Sequence, residues 1–138
     1  MEIRTDFYHL RPYETILLIK SFLAWDDRVA KSYLKDMKKI AAKYYDDKIW
    51  AKLIDCRGWE LHTPGSEELL VENAVNQFKT SLSHIALVAK QSEMQRWQIA
   101  NIIPKLNIKN VKVFDTLPEA QDWLTELGYL MPPLDDKN

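Results

Sequence analysis

The chain has 138 residues, the length of one domain with a sizeable core. Its net charge of -1 excludes the basic character typical of proteins that bind nucleic acid or acidic membranes. The single cysteine, Cys56, excludes an internal disulfide, and neither a signal peptide nor an apolar run of bilayer length is visible. These features predict a cytoplasmic protein with no transmembrane segment.

The first third of the chain predicts two antiparallel strands and a long helix. Residues 3–10 are rich in β-branched and aromatic side chains, and Pro12 marks a turn after them. The nearly continuous apolar run 15–21 predicts a strand that is buried on both faces. The helix follows, with Asp26 or Asp27 as its N-cap.

The central stretch predicts a third strand over residues 49–55 and a polar loop from Cys56 to about Pro64. A second helix begins near Thr63 or Ser66. In parallel α/β sheets, ligand sites form beyond the carboxyl ends of the strands. This loop is therefore the first place where we expect a functional surface.

The last part of the chain predicts two more strands and two more helices. Residues 85–89 and 111–114 are the strands. The third helix is predicted to end just before Pro104, because proline disfavours helical backbone ahead of it. Thr116 caps the fourth helix and Gly128 ends it.

The alternation of strands and helices predicts an α/β fold. We expect one domain over residues 1–130, with a five-stranded, mostly parallel mixed sheet and about four helices. The tail, residues 131–138, is rich in proline and charge and is predicted to be loose.

Neither a phosphate-binding loop nor a metal site is indicated. The 3 glycines complete neither a Walker motif nor a dinucleotide fingerprint. His9, His62 and His84 are far apart in sequence, with no carboxylate at ligand spacing. We therefore predict no bound metal and no cofactor.

Catalysis would have to use Asp55, Cys56 and His62. A reactive Cys56 thiolate needs a cationic neighbour such as Arg57, but a lone cysteine at a strand end is more often a small buried hydrophobe. Asp55 has two equal interpretations: it contributes to a ligand site, or it accepts backbone N–H bonds and pins the loop. We predict that the protein is not an enzyme.

The start of the second helix is a candidate binding surface. Thr63 is placed to cap it, with Pro64 at the first helical position. The positive helix end favours an anion, but Glu67 and Glu68 already supply negative charge there. Trp59 either contacts a ligand or partner, or packs over the sheet edge.

Two segments resemble the STAS domain, the fold of anti-sigma-factor antagonists of the SpoIIAA type. The first is the strand that ends at Asp55 with the helix start at residues 63–66, and the second is VKVFDTLPEAQDWL at residues 111–124. The resemblance implies a SpoIIAA-like fold over most of the chain. It also implies a non-enzymatic regulatory or protein-interaction module.

The resemblance further implies a partner surface at residues 56–68, for an anti-sigma factor, a kinase-like protein or a second copy of the chain. In the family, a serine at this helix start is phosphorylated, which implies Ser66, or Thr63, as the acceptor here. The family's tandem serines are missing, and Pro64 stands at a serine position. The surface residues implied are Asp55, Arg57, Trp59, His62, Thr63, Gly65 and Ser66.

A second hypothesis rests on lipid-binding proteins that share this superfamily-level fold. It implies a small apolar molecule or lipid in a pocket between the sheet and a movable helix, near Trp59 and Trp97. An enzyme is the third hypothesis and the least favoured.

Overall fold

The computed structural model describes residues 1–90, 92–106 and 110–134, apart from the side chains of Leu61, Glu93 and Met94. The strands are β1 (Ile3–Arg4), β2 (Tyr8–Pro12), β3 (Ile16–Trp25), β4 (Trp50–His62), β5 (Leu82–Val88) and β6 (Val111–Phe114). The helices are α1 (Asp27–Tyr44), α2 (Pro64–Phe78), α3 (Glu93–Leu106) and α4 (Leu117–Glu126).

The strands form one 6-stranded sheet in their sequence order. β1, β2 and β3 are antiparallel neighbours, whereas β3 to β6 run parallel to one another. This confirms the predicted α/β fold with a mixed sheet and four helices. The extra strand arises because the Thr5 hydroxyl accepts bonds from the Phe7 and Tyr8 N–H groups, which makes a turn within predicted strand 3–10.

The two faces of the sheet are covered by different helices. α1, α2 and α3 pack on one face, and α4 packs on the other. Side chains alternate along a strand, so Lys52 and Ile54 of β4 face the three helices, while Ala51 and Leu53 face α4. β4 is therefore a central strand that contributes to both cores.

The predicted loop at residues 56–64 was wrong, because β4 continues to His62 alongside a long β3. The register between the two strands shifts twice, and each shift leaves an extra residue on β4. Gly58 permits this pairing, since a Cβ there would lie 2.7 Å from Phe22 Cδ1 and 3.0 Å from the Ser21 carbonyl oxygen. The sequence obscured the strand because Gly58 interrupts the alternation of apolar and polar residues, at the first register shift.

α3 also differs from the prediction, because it continues through Pro104 to Leu106. A proline in the last turn removes one N–H bond near the helix end rather than interrupting a long ladder. Leu106 is buried against the core, and this packing stabilises the final turn.

The helix ends otherwise follow the prediction. Asp26, Thr63 and Thr116 accept backbone N–H bonds at the starts of α1, α2 and α4. Gly128 has a φ of 100° just after α4, where a left-handed residue ends a helix. Among the described residues, no helix is both long enough and apolar enough to cross a membrane.

Residues 131–134, in the tail that the sequence predicts to be loose, make two hydrogen bonds to α4. The Gln121 side-chain amide donates to the Pro132 carbonyl at 2.6 Å and accepts from the Leu134 N–H at 3.0 Å. Both bonds come from a largely buried side chain of α4, and the looseness of the tail stays a prediction. The rest of the predicted tail, residues 135–138, lies outside the described residues.

Candidate functional site

A cavity of about 120 Å³ lies between the sheet and helices α1, α2 and α3. Its wall is mostly apolar and includes Ile19, Trp25, Ile54, Leu70, Val71 and Ile99. A smaller set of lining side chains carries polar atoms: Ser21, Tyr33, Lys52, Cys56, Trp59 and Asn73. An apolar cavity with a few polar groups is the usual form of a small-molecule site.

Lys52 is the most unusual residue of this wall. Its backbone pairs with Leu17 of β3 and Ile85 of β5, and only 2% of the residue is exposed. Its Nζ lies 5.9 Å from the centre of the Trp50 ring, and it has neither a hydrogen bond nor an ion pair within the part of the chain that the structure describes. Desolvation disfavours the charged form, and burial lowers the pKa of Lys52 to about 7. The ammonium therefore changes charge near neutral pH.

Trp59 lines the same cavity and is 8% exposed. Its ring stacks on His62 with centroids 4.7 Å apart and meets Trp25 edge-on at 6.1 Å. Its buried Nε1–H group has no hydrogen-bond acceptor among the described residues. Trp59 therefore packs inside the protein and does not present its indole N–H to solvent.

Cys56 and His62 do not form a catalytic pair. Both lie on β4, and their separation of six residues corresponds to about 20 Å along an extended strand. Burial raises the pKa of the Cys56 thiol to about 12, so the thiol is protonated at neutral pH. The two His62 ring nitrogens lie 3.2 Å from Gln98 Oε1 and 3.1 Å from Glu67 Oε1. The pair thus offers no activated nucleophile.

Asp55 points to the face of β4 opposite Lys52 and Cys56. It is 6% exposed and accepts a backbone bond from the Arg57 N–H at 3.1 Å as well as bonds from the Arg57 guanidinium. This geometry agrees with the second interpretation of Asp55, an acceptor that pins the backbone. The segment that it pins is a bulged strand rather than a loop.

The carboxylate of Asp27 lies against the start of α2. The Thr63 hydroxyl donates to Asp27 Oδ1 at 2.6 Å, and a Cβ at Gly65 would collide with the same carboxylate. Asp27 thus takes the position in which the sequence suggested an external anion. Glu67 adds negative charge in the first turn, where it pairs with Lys105.

Ser66 and Thr63 differ sharply in exposure. Ser66 is 0% exposed, and its hydroxyl donates to the Thr63 carbonyl oxygen at 2.8 Å. Thr63 is exposed, although its hydroxyl is engaged with Asp27. Phosphorylation of either residue stays a prediction, and at Ser66 it would require the helix start to open.

The predicted partner surface is only partly exposed. Asp55, Trp59 and Ser66 are buried, whereas Thr63 is exposed and Arg57 is half-buried. Trp97, predicted beside a pocket, is 65% exposed and does not line the cavity. Of the two tryptophans named in the lipid-binding hypothesis, Trp59 therefore lines the cavity and Trp97 does not.

Lys52 was missed in the sequence, although a signal for it exists. It is the charged residue inside the apolar run 49–54, which was predicted to form a buried strand. A lysine in such a strand is buried by position, and a buried lysine is rare unless it is paired or functional. Its place on the cavity side follows only from the strand's packing.

The histidines lie in separate parts of the fold. His84 Nδ1 is 2.7 Å from the Tyr129 hydroxyl, and His9 packs edge-on against Phe22. Within the described ranges, no group of three or more histidine, cysteine or carboxylate side chains is placed to hold a metal ion. The histidines thus have local packing and hydrogen-bonding roles.

No protein-family model matches the sequence, and no curated protein matches it. Solved structures do match. One is the crystal structure of an uncharacterised protein of the DUF3478 family with a SpoIIAA-like fold, from Shewanella loihica PV-4. It is 15% identical in sequence, the match covers 88% of this chain and 98% of that chain, and the TM-score is 0.61. Such a likeness carries the fold alone, and we conclude that this chain has a SpoIIAA-like α/β fold.

Proposed function

We propose that the protein binds a small apolar molecule in the cavity between the sheet and helices α1, α2 and α3. The observation that carries this proposal is the cavity itself, about 120 Å³ with a largely aliphatic and aromatic wall. An apolar cavity of roughly 150 Å³ is large enough to bind benzene. The ligand would thus have a buried apolar part about the size of a short alkyl chain or one ring.

The cavity is energetically unfavourable when empty. Protein interiors are normally close-packed, and a void costs about 24 cal/mol per Å³. A bound apolar molecule would recover part of this free energy, which favours a binding site over a packing defect.

Filling the cavity tests the proposal. Ala74 of α2 lines the cavity and is 8% exposed, so Ala74→Leu places extra volume inside it. Hexanol binding, followed by protein NMR shifts, is expected for the wild type and lost in Ala74→Leu. Ala100→Leu makes the same change at an exposed position of α3 and should bind hexanol normally. Absence of hexanol binding to the wild type would contradict the proposal.

The second candidate is a regulatory protein-interaction role, which rests on analogy with the anti-sigma-factor antagonists that share the SpoIIAA-like fold. Its surface would be the exposed part of residues 56–68, where Glu68 is exposed near the start of α2. A specific protein partner captured from the native cell should be lost with Glu68→Arg and kept with Lys38→Glu on α1. Equal capture by both variants would remove this surface from consideration.

A further inference from the structure

We infer that the ligand of this cavity is a carboxylic acid with a short apolar body, whose carboxylate binds the Lys52 ammonium. The inference rests on the proposed function and adds the chemical class of the ligand. Two observations carry it. Lys52 lines the cavity with only 2% of the residue exposed, and no acidic side chain lines the same wall among the described residues.

Lys52 lacks a counter-charge on every side of the cavity. β3 contributes Ser21, α1 contributes Tyr33, and α2 contributes the neutral Asn73. The other titratable lining group is the Cys56 thiol on β4, whereas β5 and α3 present aliphatic side chains. Burial raises the pKa of both Tyr33 and Cys56, so both are neutral at physiological pH. The cavity wall that the structure describes thus holds a cation and no anion.

An isolated buried ammonium is unfavourable, and a carboxylate is the group that compensates it best. Burying an unpaired charge carries a large desolvation penalty, which pairing with an opposite charge offsets. A carboxylate also has two oxygens, which can accept hydrogen bonds from the N–H donors of the Lys52 ammonium. An alcohol or an alkane would leave the ammonium without a counter-charge.

The aliphatic part of the wall determines the rest of the ligand. Ile54, Ile99 and Ile102 line the cavity together with other branched side chains. They favour an alkyl or aryl body and offer no acceptor pattern for a sugar or a nucleotide base. Hexanoate is thus a suitable probe, with hexanol as its uncharged counterpart of equal chain length.

Binding of an acid at Lys52 couples to a proton. The bound carboxylate favours charged Lys52 and raises its pKa above the value of about 7 in the unliganded protein. Above this pH the protein must take up a proton when the acid binds. Hexanoate affinity is therefore expected to fall by about tenfold per pH unit between pH 7 and 9, whereas hexanol affinity stays nearly constant.

Titration calorimetry of the intact protein tests this inference. Hexanoate and hexanol are titrated at several pH values and in buffers of different ionisation enthalpy, which measures proton uptake. Wild-type protein should prefer hexanoate below pH 7 and take up a proton above it. Lys52→Met should weaken hexanoate binding by about tenfold or more while hexanol still binds.

Lys112→Met provides the matched control, because Lys112 is an exposed lysine on another strand of the same sheet. It should bind both probes as the wild type does. If hexanol binds but hexanoate is not preferred and no proton is taken up, the acid assignment is overturned and the apolar site stands. If neither probe binds, both are overturned. The wild-type pH dependence decides the matter even if a variant does not fold.

Discussion

The Asp55 carboxylate and the Arg57 guanidinium bond to each other at two points, with Nε 2.9 Å from Oδ1 and Nη2 2.9 Å from Oδ2. The Arg57 backbone N–H donates to the same carboxylate. The pair lies at the first register shift between β3 and β4, where β4 carries an extra residue. Side-chain and backbone bonds thus hold this bulge in place.

We expect Arg57→Ala to lower the free energy of unfolding by about 2 kcal/mol, because the Asp55 side chain, 8% exposed, would stay buried without its cation. Urea denaturation measures the loss. In a double-mutant cycle, Asp55→Ala and Arg57→Ala should couple by more than about 1 kcal/mol. Arg28→Ala, at an exposed site on α1, should change stability little. A coupling energy near zero would contradict this account.

Lys52→Met is expected to stabilise the protein, most strongly at low pH. The pKa of Lys52 is about 7 in the folded protein and 10.5 ordinarily, so the unfolded chain binds more protons between these values. Native stability therefore rises with pH in that window, and the full penalty of the buried ammonium acts below it. Replacement by an apolar side chain of similar length removes this penalty, which is on the order of a few kcal/mol.

Urea denaturation of Lys52→Met and wild type from pH 6 to 9 checks the sign. The stability gained by the variant should shrink by about 1.4 kcal/mol for each pH unit above 7. Lys112→Met serves as the control and should show no such trend. A gain that is independent of pH would mean that Lys52 is not titrating in the folded protein.

Gly58→Ala is expected to destabilise the protein by about 1–3 kcal/mol, because its Cβ would collide with the Phe22 ring and crowd the Ser21 carbonyl. Thermal or urea unfolding measures the effect. Adding Phe22→Ala should relieve the ring collision, so the double variant should lose less than the sum of the two single losses. Strict additivity would show that the ring contact is not the cause.

Thr63→Ala should lower stability by about 1 kcal/mol, because the Thr63 hydroxyl accepts the Ser66 N–H at the start of α2. Thr63→Ser keeps the hydroxyl and is expected to retain most of this stability. Hydrogen exchange should be faster in the first turn of α2 in the alanine variant alone. Equal exchange rates in both variants would show that the stability loss does not arise at the start of α2.

The caps and the buried strands were predictable because they depend on short-range chemistry. Thr63 caps a helix with the next few backbone N–H groups, whatever packs around it. The second half of β4 was not predictable, since its polar residues become a strand by pairing with β3. The need for glycine at position 58 comes from its contact with Phe22, which is distant in sequence and adjacent in the sheet.

Some features of the candidate site were likewise predictable from the sequence, and others were not. Residue order placed a lysine in an apolar strand and a tryptophan in a polar stretch, and it determined the α/β class through the alternation of strands and helices. Only the tertiary structure decided that Lys52 and Trp59 line one cavity and that the Cys56 thiol is buried, with a raised pKa. The reason is physical. The desolvation of Lys52, its lack of a counter-charge and the unpaired N–H of Trp59 all depend on which helices pack over the strand, and no local sequence pattern specifies that packing.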